Sequence, residues 1–158
     1  MSPRMPTAQV GDSPRVRVAH LALDAALNVA GVQGADAGPD GLCLTGDPHR
    51  ETLRGVSVVA QPGGRYSVDL CLIAGIVPLI ELAAEVRRRV RARVAREGLG
   101  DQLGDVNVQF SEVLSAAEIA EQAAARERAA LAAAQEIAAA GAEHADPVSR
   151  PRPEEPLL

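Results

Sequence analysis

The sequence predicts an α+β protein: a small two-layer domain with a mostly antiparallel sheet of three to four strands, two helices on one face, and a C-terminal Ala-rich helix. Segments 54–60 and 65–74 alternate apolar and polar residues on either side of the turn sequence QPGG at 61–64, which is typical of a β-hairpin. A helical pattern and a third alternating segment, 105–113, follow. Such alternation indicates a sheet that is covered on one face and open on the other.

The first helix is predicted to begin at Ser13 and Pro14, because an N-cap residue followed by proline is a helix start signal. We expect it to continue to about Val29 and to end before Gly31. A short strand at 32–37 and a loop at 38–52 follow. The apolar face of the helix recurs at helical spacing and consists of Val18, Leu21, Ala22, Ala25 and Val29.

The strands are predicted to divide their side chains between the covered and the open face. The inward set is Val56, Val58, Tyr66, Val68, Leu70, Leu72, Val106, Val108 and Phe110. The outward set is Ser57, Ser67, Asp69, Cys71, Asn107, Gln109 and Ser111. We expect Val108 and Phe110 to be buried, because they alternate with polar neighbours on a one-sided sheet.

Two further helices are predicted. The second covers 78–97, and its core stripe is Leu79, Leu82, Ala83, Val86, Val90 and Val94. A capping box at Ser115 and Glu118 starts the third, which is Ala-rich, continues to about Ala140 and ends at Gly141. Its few large apolar residues indicate that intrinsic helix propensity carries much of its stability.

Length and composition set the domain organisation. A chain of 158 residues predicts one domain with tails. We expect a disordered segment at 1–13, the α+β domain at 14–113, the Ala-rich helix at 114–140 and a disordered Pro-rich tail at 141–158. The longest apolar run is about 11 residues, whereas a membrane span needs about 20. The sequence therefore predicts a cytoplasmic protein, and it leaves open a peripheral position at the inner face of the cell membrane through a partner.

Several short motifs occur in an order that is known from one family. They are Ala30-Gly31-Val32 after the first helix, the strand residues Gly55, Val56 and Val58, the run Val68-Asp69-Leu70, then Gly75 with Ile80, Ala83 and Val86, and finally Gly98-Leu99 before Val106-Asn107-Val108. In these motifs residues 16–113 resemble the alkaline shock protein family, also called Gls-type envelope stress-response proteins. The chain departs from the family in three places: no N-terminal strand is evident, Ala74 stands where an aromatic residue is usual, and Arg87-Arg88-Arg89 replaces the usual glutamine.

This resemblance implies a non-enzymatic bacterial protein of the cytoplasm that acts in cell-envelope homeostasis and in alkaline or general stress. Some family members are held at the membrane by a small transmembrane partner, and some self-associate. The resemblance therefore implies a scaffold or adaptor with a protein partner, such as a small membrane-anchor protein, or with further copies of itself.

The second helix offers a candidate partner-binding surface. It carries six arginines and three glutamates, and the candidate residues are Arg88, Arg89, Arg91 and Arg96. One interpretation is a site for anionic lipid headgroups, RNA phosphate or an acidic partner. The other is a solvated face in which Glu85 and Arg89 form an ordinary ion pair one turn apart. An RNA-associated protein that uses helix 79–97 is thus the alternative to the scaffold.

The composition weakens the RNA hypothesis, and the sequence shows no pattern of catalytic residues. The chain has one Phe, one Tyr and no Trp, whereas single-stranded nucleic acid is usually held on aromatic side chains. The net charge of −5 argues against a general polyanion binder and against DNA as a partner. Cys43 and Cys71 lie far apart without a zinc-binding pattern, a disulfide scaffold is not expected, and the histidines are scattered. The sequence therefore predicts no catalytic residues, no cofactor and no metal.

Overall fold

The structure of the protein is a computed structural model, and it describes residues 13–143. The segments at 1–12 and 144–158, which include most of both predicted disordered ends, lie outside the described residues. The elements in chain order are α1 (Pro14–Leu27), β1 (Val32–Ala35), β2 (Leu44–Thr45), β3 (Leu53–Arg54), β4 (Val56–Gln61), β5 (Arg65–Gly75), α2 (Leu79–Arg96), β6 (Leu103–Leu114) and α3 (Ala116–Glu143). Short 3₁₀ turns occupy Pro39–Gly41 and Gly100–Gln102. The predicted α+β class is confirmed.

Strand β5 is the centre of the main sheet. Along one edge it pairs antiparallel first with β4 and then with β1, and along the other edge it pairs with β6 in parallel. The chain reaches β6 from β5 through α2, because parallel neighbours need a long crossover connection. The sheet is therefore antiparallel except for β5 and β6, and β6 pairs with no other strand within residues 13–143.

The predicted strand at 54–60 is in fact two strands. Leu53–Arg54 pairs with Leu44–Thr45 in a separate two-stranded ribbon, and Leu44–Thr45 lies inside the predicted loop at 38–52. Gly55 breaks the strand with a φ of +99°, a left-handed conformation that favours glycine. The hairpin loop after β4 has three residues rather than four, because Gln61 pairs with Arg65.

Helices α1 and α2 pack on one face of the sheet and close the core. Ser13 accepts a hydrogen bond from the backbone N–H of Val16, as an N-cap does, and α1 ends two residues before the expected Val29. Of the predicted inward residues, Leu21, Ala25, Tyr66 and Leu79 are only half-buried. The fully enclosed side chains come from all the layers and include Val18, Val56, Val68, Leu70, Leu72, Val86, Val90 and Val94.

The predicted burial of two β6 residues is greater than the structure shows. Val106 is buried, but Val108 and Phe110 on the same face are only half-buried at the margin of the core. The reason is their position on the outermost strand, next to the start of α2. A depression of about 310 Å³ lies there between Leu79, Ile80 and Ala83 on one side and the strand on the other.

The predicted capping box begins α3: the backbone N–H of Ser115 donates to Glu118 at 2.8 Å, and the N–H of Glu118 donates to the Ser115 hydroxyl at 3.3 Å. The backbone N–H of Ser115 and its hydroxyl both donate to the Glu118 carboxylate, and these two bonds lower its pKa. The helix continues through Gly141 to Glu143, beyond the predicted end, because a single glycine lowers helix stability without preventing the helix.

The chain divides into two compact units between Ile119 and Ala120. Within residues 13–143, no helix has the length and apolar character needed to cross a membrane.

Candidate functional site

Two of the four candidate arginines are bound to one glutamate. Arg88 donates to the Glu85 carboxylate through Nε at 2.9 Å and Nη2 at 2.6 Å, and Arg89 donates through Nε at 2.8 Å. The bonds from Arg88 and then Arg89 lower the pKa of Glu85 to about 2. The Glu85 bonds also raise the pKa of Arg88. Half of the candidate surface is thus occupied by a local ion-pair cluster.

The other two candidates lie on different sides of α2. Arg91 faces β6 and donates to the backbone oxygen of Gly104 at 3.4 Å. Arg96 lines a depression of about 190 Å³ between α2 and α1, together with Arg89, Arg93, Asp24 and Asn28. The structure therefore brings Arg89 and Arg96 together but separates them from Arg91. Whether any of the four contacts a partner stays a prediction.

The outer edge of β6 is covered by arginine along its first half. Arg87 donates from Nε to the backbone oxygen of Val106 at 3.1 Å, one turn of α2 before Arg91 reaches Gly104. Alternate residues of a strand direct their backbone groups to the same side, so the groups of Val108 and Phe110 also point to this edge. Within residues 13–143 no loop or cap hydrogen bond and no arginine side chain reaches these two positions, in contrast to Gly104 and Val106. Within residues 13–119, the described part of the first unit, the second half of the edge is uncovered.

An apolar surface adjoins this uncovered edge. Ile80 is 84% exposed at the start of α2, and the depression beside it is also lined by the half-buried side chains of Val108 and Phe110. Ile76, Val77 and Val113, near the ends of β5 and β6, are exposed as well. We call the free backbone of β6 from Val108 onward, with Leu79, Ile80 and Phe110, the β6 edge site.

Sequence reasoning missed the β6 edge site for a physical reason. The alternation in 105–113 correctly shows which side chains point to the core face, but it does not show which strand is outermost. That depends on the pairing partner of β6, which is set by the α2 crossover. The nearest signal in the sequence is Ile80, an apolar residue outside the predicted core stripe of the second helix.

One histidine and both cysteines make contacts between distant parts of the chain. Nε2 of His20 lies 2.9 Å from Oδ2 of Asp47. The hydrogen bond with His20 and the backbone N–H of His49 lower the pKa of Asp47. Cys43 and Cys71 form a disulfide, although their spacing along the chain does not indicate a pair. No group of three or more potential metal ligands occurs within the part of the chain that the structure describes.

Comparison with known proteins assigns no family. No protein-family model matches the chain, and no curated protein matches it significantly. Among solved structures, a single-residue variant of MamM CTD aligns at 19% identity and a TM-score of 0.37, over 63% of this chain and 99% of that one. A variant of MamM CTD in a zinc form aligns at 18% identity and a TM-score of 0.35, over 61% and 84%. Similarity at this level supports no conclusion about this protein.

Proposed function

We propose that this protein is a non-enzymatic scaffold or adaptor that acts through protein–protein contacts in cell-envelope homeostasis or stress. The envelope role rests on the resemblance of residues 16–113 to the alkaline shock protein family. The scaffold role has structural support in one observation, the uncovered second half of β6 beside an exposed apolar surface. Proteins normally protect such edges, because free strand backbone recruits other strands.

The occupant of the β6 edge site is a second copy of this chain. Two β6 strands paired antiparallel about a two-fold axis near Phe110 present the same uncovered backbone to each other, and isologous contacts of this kind are the commonest in homo-oligomers. In that pairing, the apolar residues of each depression face those of the other.

Light scattering coupled to size-exclusion chromatography tests the proposal on the full chain. We expect the wild-type protein to elute with at least twice the mass of one chain, and Val108→Lys and Ile80→Lys to elute as monomers. A lysine at either position places a charge in the interface. Ile137→Lys is the matched control, because Ile137 is an exposed apolar residue on α3, outside the β6 edge site, and its variant should assemble as wild type. A wild-type monomer, or assembly that survives both edge substitutions, contradicts the proposal.

The alternative, RNA binding through helix 79–97, is supported less well. Arg88 and Arg89 are bonded to Glu85, and Arg87 and Arg91 are bonded to the backbone of β6, so few guanidinium groups are left for phosphate. Filter binding with bulk RNA at low and high salt separates the two functions. Tight binding with a steep salt dependence, lost in Arg96→Gln, would favour RNA.

A further inference from the structure

The face of the sheet opposite the helices carries a row of three polar side chains. Ser57, Asp69 and Asn107 lie side by side on β4, β5 and β6, because Asp69 is in register with Ser57 on one side and with Asn107 on the other. Asn107 donates from Nδ2 to Oδ1 of Asp69 at 2.9 Å. This bond orients the carboxylate and leaves its second oxygen, Oδ2, available to a ligand.

A loop covers part of this face and turns the row into a cavity. The disulfide between Cys43 and Cys71 ties the loop after β1 to the central strand, and both cysteines are buried. The cavity has a volume of about 440 Å³, with the polar row as its floor and Leu42, Cys43 and Val59 among its walls. Leu42 and Val59 are 68% and 49% exposed, so apolar surface faces the cavity on two sides. Its size lies within the range of small-molecule sites.

The charge in this cavity is unbalanced. Asp69 is the one ionisable side chain among the lining residues, since the cysteines are joined, and no ion pair to it occurs within residues 13–143. A carboxylate held by an amide between apolar walls favours a positively charged hydrogen-bond donor with an apolar part. We propose that this cavity binds a small organic cation, an ammonium or guanidinium group on a short aliphatic chain. The cation donates to Asp69, and its chain lies against Leu42 and Val59.

The polar floor of this site lies on the face opposite the β6 edge site, and the cavity and the depression at the β6 edge site share only Val108. The test below measures ligand binding at Asp69 and not the mass of the assembly, so either proposal can fail alone. The test is titration calorimetry of the full oxidised chain with butylguanidinium and butylammonium, with butanol as the neutral probe. We expect both cations to bind and butanol to bind at least tenfold more weakly. Asp69→Asn, which keeps the shape and removes the charge, should weaken cation binding at least tenfold. Asp105→Asn, the same charge change elsewhere, should leave it unchanged.

Two further variants keep the result informative if Asp69→Asn loses stability. Asn107→Ala removes the orienting bond and Leu42→Ala removes an apolar wall, and each should weaken binding about threefold or more. Equal affinity for butanol and the cations, or equal affinity of wild type and Asp69→Asn, overturns the proposal. Binding of an arginine-containing tripeptide without binding of either free cation also overturns it, and indicates a peptide-docking groove instead.

Discussion

A β-carbon placed on Gly55 would overlap the β-carbon of Ala35. The two residues meet because β1 and β4 follow one another along the same edge of β5. At this junction the backbone oxygen of Gly55 accepts from Cys71, and its N–H donates to Cys43 at 2.8 Å. Gly55 therefore joins the main sheet, the disulfide loop and the end of β1, and a side chain has no room there.

We expect Gly55→Ala to lower the free energy of unfolding by more than a conformational penalty alone. A non-glycine residue at positive φ costs about 1–3 kcal/mol, and the overlap with Ala35 adds to it. Gly63→Ala is the matched control, since Gly63 has a φ of +87° but nothing lies within 4 Å of the added carbon. Denaturant titration of both variants isolates the steric part. Equal losses in the two variants would mean that the junction at Ala35 yields easily.

The second prediction concerns the contribution of the disulfide to stability. Cys43 and Cys71 are 28 residues apart, and closing a loop of that length removes unfolded-chain entropy worth about 3–4 kcal/mol. We expect the double variant Cys43→Ser with Cys71→Ser to lose stability of this order in chemical denaturation. A reducing agent should lower the stability of the wild type and leave the double variant unchanged. A wild type that is indifferent to the reductant would show that the cross-link contributes nothing.

Local patterns predicted the local structure of this chain well. Ser13 and Ser115 both cap helices as their sequence contexts indicate, and alternation places Leu70 and Asp69 on opposite faces of β5. These features depend on residues a few positions apart, so the sequence carries them directly. The predicted residues of α2 also form its buried stripe, apart from the half-buried Leu79.

What the sequence did not reveal depends on distant pairing. Cys71 lies on the predicted outward side of β5, but the loop that covers this side and leaves Cys71 1% exposed is held there by the disulfide to Cys43. Neither the pairing of these cysteines nor the cavity floor at Asp69 and Asn107 follows from spacing along the chain. The outermost position of β6 likewise depends on a parallel crossover, which a strand pattern alone does not distinguish from a hairpin.

Position on β6 should decide the cost of removing a valine. Val106 is 4% exposed, whereas Val108 on the same face is half-buried beside the depression. Because the hydrophobic contribution follows the apolar area removed from water, Val106→Ala should cost about 2 kcal/mol and Val108→Ala about half of that. The measurement is denaturant unfolding at low protein concentration, where self-association contributes little. Equal losses of stability in the two variants would show that Val108 is as well covered in solution as Val106.

The Glu85 cluster predicts a stability change on the acid side. Bonds from Arg88 and Arg89 hold the pKa of Glu85 at about 2, below the ordinary 4.5. A carboxyl whose pKa is depressed by folding stabilises the native state above its unfolded pKa, and this stabilisation is lost as the pH falls through the folded pKa. Wild type should therefore exceed Glu85→Gln in stability at neutral pH, and the difference should shrink between about 4.5 and 2. The side chains are exposed to solvent, so salt should reduce the difference as well.

Thermal unfolding of wild type and Glu85→Gln across this pH range measures the effect. Glu81→Gln is the control, because it removes the same charge from the first turn of α2 and no arginine bonds to Glu81 within residues 13–143. We expect the pH dependence of the wild type to be preserved in the control and flattened in Glu85→Gln. A constant difference between wild type and Glu85→Gln down to pH about 2 would mean that the two arginines do not hold this carboxylate in solution. Their guanidinium groups would then be available to an anionic partner, and this result would support the candidate partner-binding surface on α2.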